Sequence, residues 1–199
     1  MAIVSVPRSR ASLIDRIVPR SAVGDLLLVG AGAALTAVAA QVVVPLHPVP
    51  FTLQTFSVLL VAATLGSMRG AASMLVYLVA GALGVPLFAS AESGIDVVLG
   101  ATGGYLVGFV IAAWLVGRIV EHSSGRVLPT VAALVAGSAA VYAVGVPWLA
   151  ISLGMTLGDA ANAGLFPFLA GDAIKLAAAA VLVPGATVLV ARATRKDER

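Results

Sequence analysis

Cysteine is absent from the 199 residues, which excludes disulfides and thiolate metal sites. Charge is scarce: only 11% of residues are charged, against about 25% in a soluble domain. Just two histidines occur, and no His/Glu group has metal-ligand spacing. No Gly-rich loop is followed by Lys-Ser/Thr, so the chain lacks the P-loop with which it would hydrolyse ATP. Ser and His form no arrangement of nucleophile and base, which disfavours an enzyme.

What fills the chain is apolar. Sixty per cent of residues are hydrophobic, and the mean hydropathy is +1.08. The apolar runs are long and continuous rather than alternating, which argues against a β-barrel. Six spans of about 20 residues need about 120 residues, so six helices and short loops account for the chain without a sizeable soluble domain. The predicted fold is an all-α integral membrane protein, a bundle of six transmembrane helices. The spans read as residues 26–44, 51–65, 71–83, 100–120, 129–153 and 167–191. Pro45, Pro48 and Pro50 end the first, and Pro147 lies inside the fifth. Spans two and three are short enough to be tilted, broken or partly re-entrant. Residues 66–70 read as a tight turn, 121–126 as a polar turn, and 154–166 as a Gly-containing connection. Residues 12–18 read as a short amphipathic turn on the membrane surface.

Charge gives an independent check on topology. With both termini cytoplasmic, the inner segments hold Arg8, Arg10, Arg16, Arg20, Arg69, Arg118, Arg126, Arg192, Arg195, Lys196 and Arg199. The outer loops hold only Glu92, Asp96 and Asp159. This is the positive-inside distribution. It also assigns the high pI of about 9.8 to topology rather than to nucleic acid. The domains are then a cytoplasmic basic segment at 1–22, a six-helix substrate-binding domain at 23–191 and a cytoplasmic basic tail at 192–199. A cleaved signal peptide over residues 1–40 is the competing reading, but its apolar run is longer than a usual signal core and continues past Ala39. Gly84-Val-Pro-Leu-Phe-Ala89 echoes Gly145-Val-Pro-Trp-Leu-Ala150, an echo no stronger than chance in so apolar a chain.

One basic residue breaks the pattern. Lys175 lies inside the sixth span, three positions after Asp172 and on the same helical face. An ionisable group at that depth costs about 2.5–3.5 kcal/mol and normally faces the interior with a partner. The pair reads either as self-neutralising, with Lys175 reaching toward the interface, or as the polar floor of a ligand site. Phe51, Gln54, Phe88, Tyr105 and Trp148 gather toward the same side, with Phe166 and Phe168. An interfacial aromatic belt explains any one of these aromatics, but the amide of Gln54 needs partners. Gly103 and Gly104 precede Tyr105 and fit either close helix packing or backbone N–H groups facing a ligand. In the first span, Gly30/Ala34 and Ala33/Ala37 are small-xxx-small pairs. They suit packing within the bundle or docking of a separate membrane partner.

At these residues the chain resembles the BioY family, the biotin-specific substrate-binding (S) components of energy-coupling factor (ECF) transporters. The resemblance rests on Pro48-Val-Pro-Phe-Thr-Leu-Gln-Thr55, Gly84-Val-Pro-Leu-Phe-Ala89, Leu99-Gly-Ala-Thr-Gly-Gly-Tyr-Leu-Val-Gly-Phe109, Gly145-Val-Pro-Trp-Leu149 and Pro167-Phe-Leu-Ala-Gly-Asp-Ala-Ile-Lys175. It covers most of residues 25–190. It implies a six-helix protein of the plasma membrane that binds one biotin from outside, with no cofactor, metal or nucleic acid. Energy would come from a coupling membrane subunit and two ATPase subunits, in keeping with the missing P-loop. The small residues of the first helix would then pack on the coupling subunit. Substrate binding would fall to Asp172, Lys175, Gln54, Phe51, Phe88, Gly103, Gly104, Tyr105 and Trp148. The chain departs from the family in Ala89-Ser-Ala-Glu-Ser-Gly94, where relatives are Gly-rich, and in Ala101 and Ala170, where proline is common. Other readings are an S component for thiamin or riboflavin, a lipid-acting membrane enzyme and a structural subunit.

Overall fold

The computed structural model describes Ser12, Ile14–Arg16, residues 21–123 and residues 126–197. Arg8, Arg10, Arg20, Arg199, residues 13, 17 and 18 of the amphipathic stretch and the 124–125 part of the polar turn lie outside the described residues. The elements run α1 (Ala22–Ala40), β1 (Val43–Val44), β2 (Phe51–Thr52), α2 (Gln54–Leu65), α3 (Ser67–Ala82), α4 (Ile95–Leu99), α5 (Gly103–His122), α6 (Val127–Leu153), α7 (Leu157–Gly164) and α8 (Phe166–Asp197). Short 3-10 turns occupy Ile14–Arg16 and Ala89–Ala91.

Ser21 starts α1 by accepting the Gly24 N–H at 3.0 Å. The proline-rich stretch after it cannot continue a helix. It folds instead as a small antiparallel hairpin, Val43 opposite Thr52 and Val44 opposite Phe51, with a cis His47–Pro48 bond at its tip. The hairpin delivers the chain to the start of α2. Gly66, at φ 85°, is the only residue between α2 and α3. The Ser67 N–H and hydroxyl both bond the Glu121 carboxylate of α5, at 2.7 and 3.0 Å, which caps α3 from across the bundle. The expected turn at 66–70 therefore shrinks to one residue, and Met68, Arg69 and Gly70 are helical. Arg69 pairs with Asp15 at 2.8 Å and Asp25 at 2.6 Å, tying the N-terminal segment and α1 to α3. The expected connection at 154–166 contains a helix of its own, α7, capped by Thr156 through the Asp159 N–H.

Ala22–Ala40, Gly103–His122, Val127–Leu153 and Phe166–Val183 are long and apolar enough to cross a membrane. The 12 residues of α2 rise about 18 Å and the 16 of α3 about 24 Å, shorter than the ~30 Å hydrocarbon core. Leu59, Met74, Tyr77, Val116, Leu134 and Leu149 are fully buried between helices. Leu26, Leu128, Ile151, Ile174 and Val181 point outward with more than two thirds of their surface exposed. Exposed apolar area on this scale needs an apolar surrounding.

The small residues of α1 do not share a face. Gly30 and Ala34 are exposed, Ala37 is half-buried and Ala33 is 7% exposed, packed in the core beside Gly32, whose missing Cβ would meet Ser73 and Val61. Ala33 thus belongs to the fold's own packing rather than to a surface open to a partner. Ala33→Leu should overpack this seam and cost about 1–3 kcal/mol, whereas Ala34→Leu should leave stability unchanged. Thermal unfolding of the two variants in detergent checks the difference.

Candidate functional site

The hairpin, the start of α2, the 88–92 loop, α4, the starts of α5 and α8, and the outer part of α6 converge at one end of the bundle. They enclose a cavity of about 500 Å³. That is within the range that encloses most of a small ligand.

The second and third turns of α8 form its polar wall. Asp172 and Lys175 share a face three residues apart, 5% and 7% exposed. Lys175 Nζ has three donors, and each has an acceptor: the Thr52 carbonyl at 2.6 Å, Thr55 Oγ1 at 3.0 Å and Asp172 Oδ1 at 2.7 Å. Its charge also lies 3.7 Å from the centre of the Phe51 ring. The Thr55 hydroxyl donates on to Asp172 Oδ1 at 3.4 Å. Tyr142 on α6 donates to Asp172 Oδ2 at 2.5 Å. The ammonium thus joins α8 to the hairpin and to α2, and the carboxylate joins α8 to α6. Reading the couple as a pair that merely snorkels toward the interface does not fit this burial. A carboxylate has about four lone-pair sites, so Asp172 retains capacity for a further donor.

Gln54 finds the partners its amide requires. Its Oε1 accepts from the Thr52 hydroxyl at 2.7 Å, and its Nε2 donates to Tyr77 OH at 2.6 Å. Tyr77 OH donates to the Leu87 carbonyl at 3.1 Å, so hairpin, α2 and the 87–91 loop form one hydrogen-bonded unit. Phe51 stacks on Phe168 at 5.9 Å, and Phe88 packs edge-on to Tyr77 at 5.5 Å. Tyr105 meets Tyr142 edge-on at 6.3 Å and donates to the Gly164 carbonyl at 2.8 Å. An apolar chamber with one charged wall results. It suits a ligand with an oily body and a head of N–H donors plus an acceptor. Among the described residues no group of His, Asp and Glu is placed to hold a metal.

The BioY family model matches residues 10–192. The chain belongs to the BioY family. It is 39% identical to the biotin transporter BioY of Thermotoga maritima, over 79% of this chain and 92% of that one. With the probable biotin transporter BioY of Pyrococcus horikoshii it shares 38% identity over 79% and 93% of the two chains. Its fold is similar to a crystal structure of the S-component for biotin from an ECF-type ABC transporter. The TM-score is 0.75 at 23% identity, covering 81% of this chain and 89% of that one. Family and apolar helices together make this an integral membrane protein.

In this BioY-family chain the cavity gathers Phe51, Gln54, Phe88, Tyr105, Asp172 and Lys175. Gly103, Gly104 and Trp148 stand behind it and do not line it. Trp148 Nε1 donates to the Gly100 carbonyl at 2.9 Å, and a Cβ on Gly104 would collide with the Trp148 side chain. The Gly103 N–H is occupied by the Gly100 carbonyl at 3.3 Å. Helix packing, rather than backbone groups offered to a ligand, explains these glycines.

Thr52, Thr55, Tyr142 and Gln41 did not stand out in the sequence. The first two lie within the quoted Pro48–Thr55 stretch, where their polarity was the available sign. Gln41 donates to the Phe88 carbonyl at 3.1 Å and accepts from the Ala91 N–H at 3.0 Å. It holds a loop in which Ser90 and Ala91 both have φ 58°, a conformation that costs non-glycine residues about 1–3 kcal/mol.

Proposed function

We propose that this chain captures biotin in the Asp172–Lys175 cavity and serves as the substrate-binding subunit of an ECF-type uptake transporter in the plasma membrane. The observation that carries this is a buried acid–base couple, already oriented by Tyr142, Thr55 and Thr52, on the wall of an apolar chamber. Biotin's ureido ring presents two N–H donors and one carbonyl. Asp172 has room to accept from one of the N–H groups, and Lys175 donates to the carbonyl or the carboxylate on exchanging one of its protein acceptors. The thiophane ring and valeryl chain lie against Phe51, Phe88 and Phe168. Relatives in the family carry the name biotin transporter, which favours biotin over thiamin or riboflavin.

Six membrane crossings with both termini in the cytoplasm fit the placement of charge. Arg69, Arg118 and Arg126 sit at the helix ends opposite the cavity, while Glu92, Asp96 and Asp159 sit at its end. The cavity then faces outward. Residues 1–22 and 192–199 form the cytoplasmic basic ends of a substrate-binding domain at 23–191. With no P-loop in the sequence, energy comes from two ATPase subunits through a coupling membrane subunit. The exposed part of α1, including Gly30 and Ala34, is the docking surface for that subunit.

Calorimetric titration of the detergent-purified protein tests the ligand. Biotin should give a saturable heat at micromolar or lower concentration, and thiamin and riboflavin none. Absence of a biotin response would remove this function.

A further inference from the structure

The two ends of the cavity differ in charge. At the floor, Asp172 and Lys175 cancel. At the rim stand Glu92 and Asp96, both exposed and both lining the cavity. The other ionisable residues lining it are His47, Tyr105 and Tyr142, none of which adds to the formal charge at pH 7. No arginine and no second lysine faces the cavity among the described residues. The rim is therefore net negative.

The rim carboxylates are held by their backbone. Phe88 N–H bonds the Glu92 carbonyl at 3.0 Å, Glu92 N–H bonds the Ala89 carbonyl at 3.2 Å, and Gln41 clamps Ala91. Asp96 sits in the first turn of α4. Neither carboxylate has a hydrogen bond or ion pair among the described residues. Ser90 and Thr102 line the same rim, and their hydroxyls likewise have no hydrogen bond among the described residues.

A ligand bearing its own carboxylate has no cation to meet at this rim. Placing that carboxylate at the floor instead sets it beside the Asp172 carboxylate. An amide has neither difficulty. It is uncharged, it can share hydrogen bonds with Ser90 and Thr102, and an amine beyond it would be attracted by Glu92 and Asp96.

We infer that the site takes biotinyl amides, biotin whose carboxyl is condensed with an amine, at least as well as free biotin, with the ureido ring at the floor and the acyl end at the rim. The inference rests on the biotin reading above.

The test titrates purified protein at low ionic strength with biotin, biotin carboxamide and biotinyl-lysine. It repeats the series on Glu92→Gln/Asp96→Asn and in 0.5 M salt, a concentration chosen because it shortens electrostatic reach to roughly a few Å. Amide affinity should equal or exceed that of biotin. The double variant and salt should each shift the ratio toward free biotin, by about fivefold for the variant. Both altered residues are exposed, and continued binding of either ligand reports an intact fold. Weaker amide binding than biotin binding, or a ratio that the variant leaves unmoved, overturns the inference while leaving the biotin reading in place. If no biotinyl compound binds at all, the biotin reading itself falls.

Discussion

Asp172→Asn should weaken biotin binding about a hundredfold, ~2.7 kcal/mol. The carboxylate accepts from Lys175 and Thr55 through Oδ1 and from Tyr142 through Oδ2. Asparagine keeps the shape but turns one of these two acceptors into a donor. With the amide oxygen toward Lys175, the NH2 faces the Tyr142 hydroxyl, which must then turn from donor to acceptor. The ureido N–H groups also lose a charged acceptor, and such bonds are roughly twice as strong as neutral ones. Lys175 remains 7% exposed with its counter-charge removed, a change that costs about 3–5 kcal/mol in buried pairs. Melting temperature and affinity should therefore fall together. Titration calorimetry and thermal unfolding check this. A loss of affinity under about tenfold would place the ligand elsewhere.

How far the site was legible in the sequence follows from how unusual each residue is in an apolar chain. A lysine within a membrane span costs so much that Asp172 and Lys175 announce themselves, and the structure brings them to a cavity wall. Gln54 carries the same kind of signal more weakly. Tyr142 does not: tyrosine in a helix is ordinary, and only the packing of α6 against α8 places its hydroxyl on Asp172. Thr55 is equally unremarkable until α2 brings it under Lys175. Gly103, Gly104 and Trp148 show the opposite error. They adjoin residues that do line the cavity, but glycine next to an indole is a packing device, and sequence does not separate the two uses. Ala33 differs from Ala34 only in the angle at which α1 meets α2 and α3. The helices themselves were legible where apolar runs are long, as in α5, α6 and α8. Legibility failed at 66–70, because the helix-capping partner of Ser67 is Glu121, 54 residues away.

Replacing both members of the couple, Asp172→Leu with Lys175→Met, should separate folding from binding. Removing one charge strands the other. Removing both leaves no buried charge at this wall, and such exchanges for apolar residues of similar volume are often neutral or stabilising by about 1–4 kcal/mol. Three polar groups lose partners: the Thr52 carbonyl, Thr55 Oγ1 and Tyr142 OH. Each would cost about 1–3 kcal/mol if sealed in an apolar core. These three residues line the cavity, where water can take up the vacated bonds. The double variant should therefore melt above Asp172→Asn and within a few degrees of the unaltered protein, yet show no saturable heat with biotin. A double variant as unstable as the single one would make the couple a structural element. Retention of affinity within about tenfold would show that the ligand is held without it. The two readouts together decide whether the charges on α8 serve the fold or the ligand.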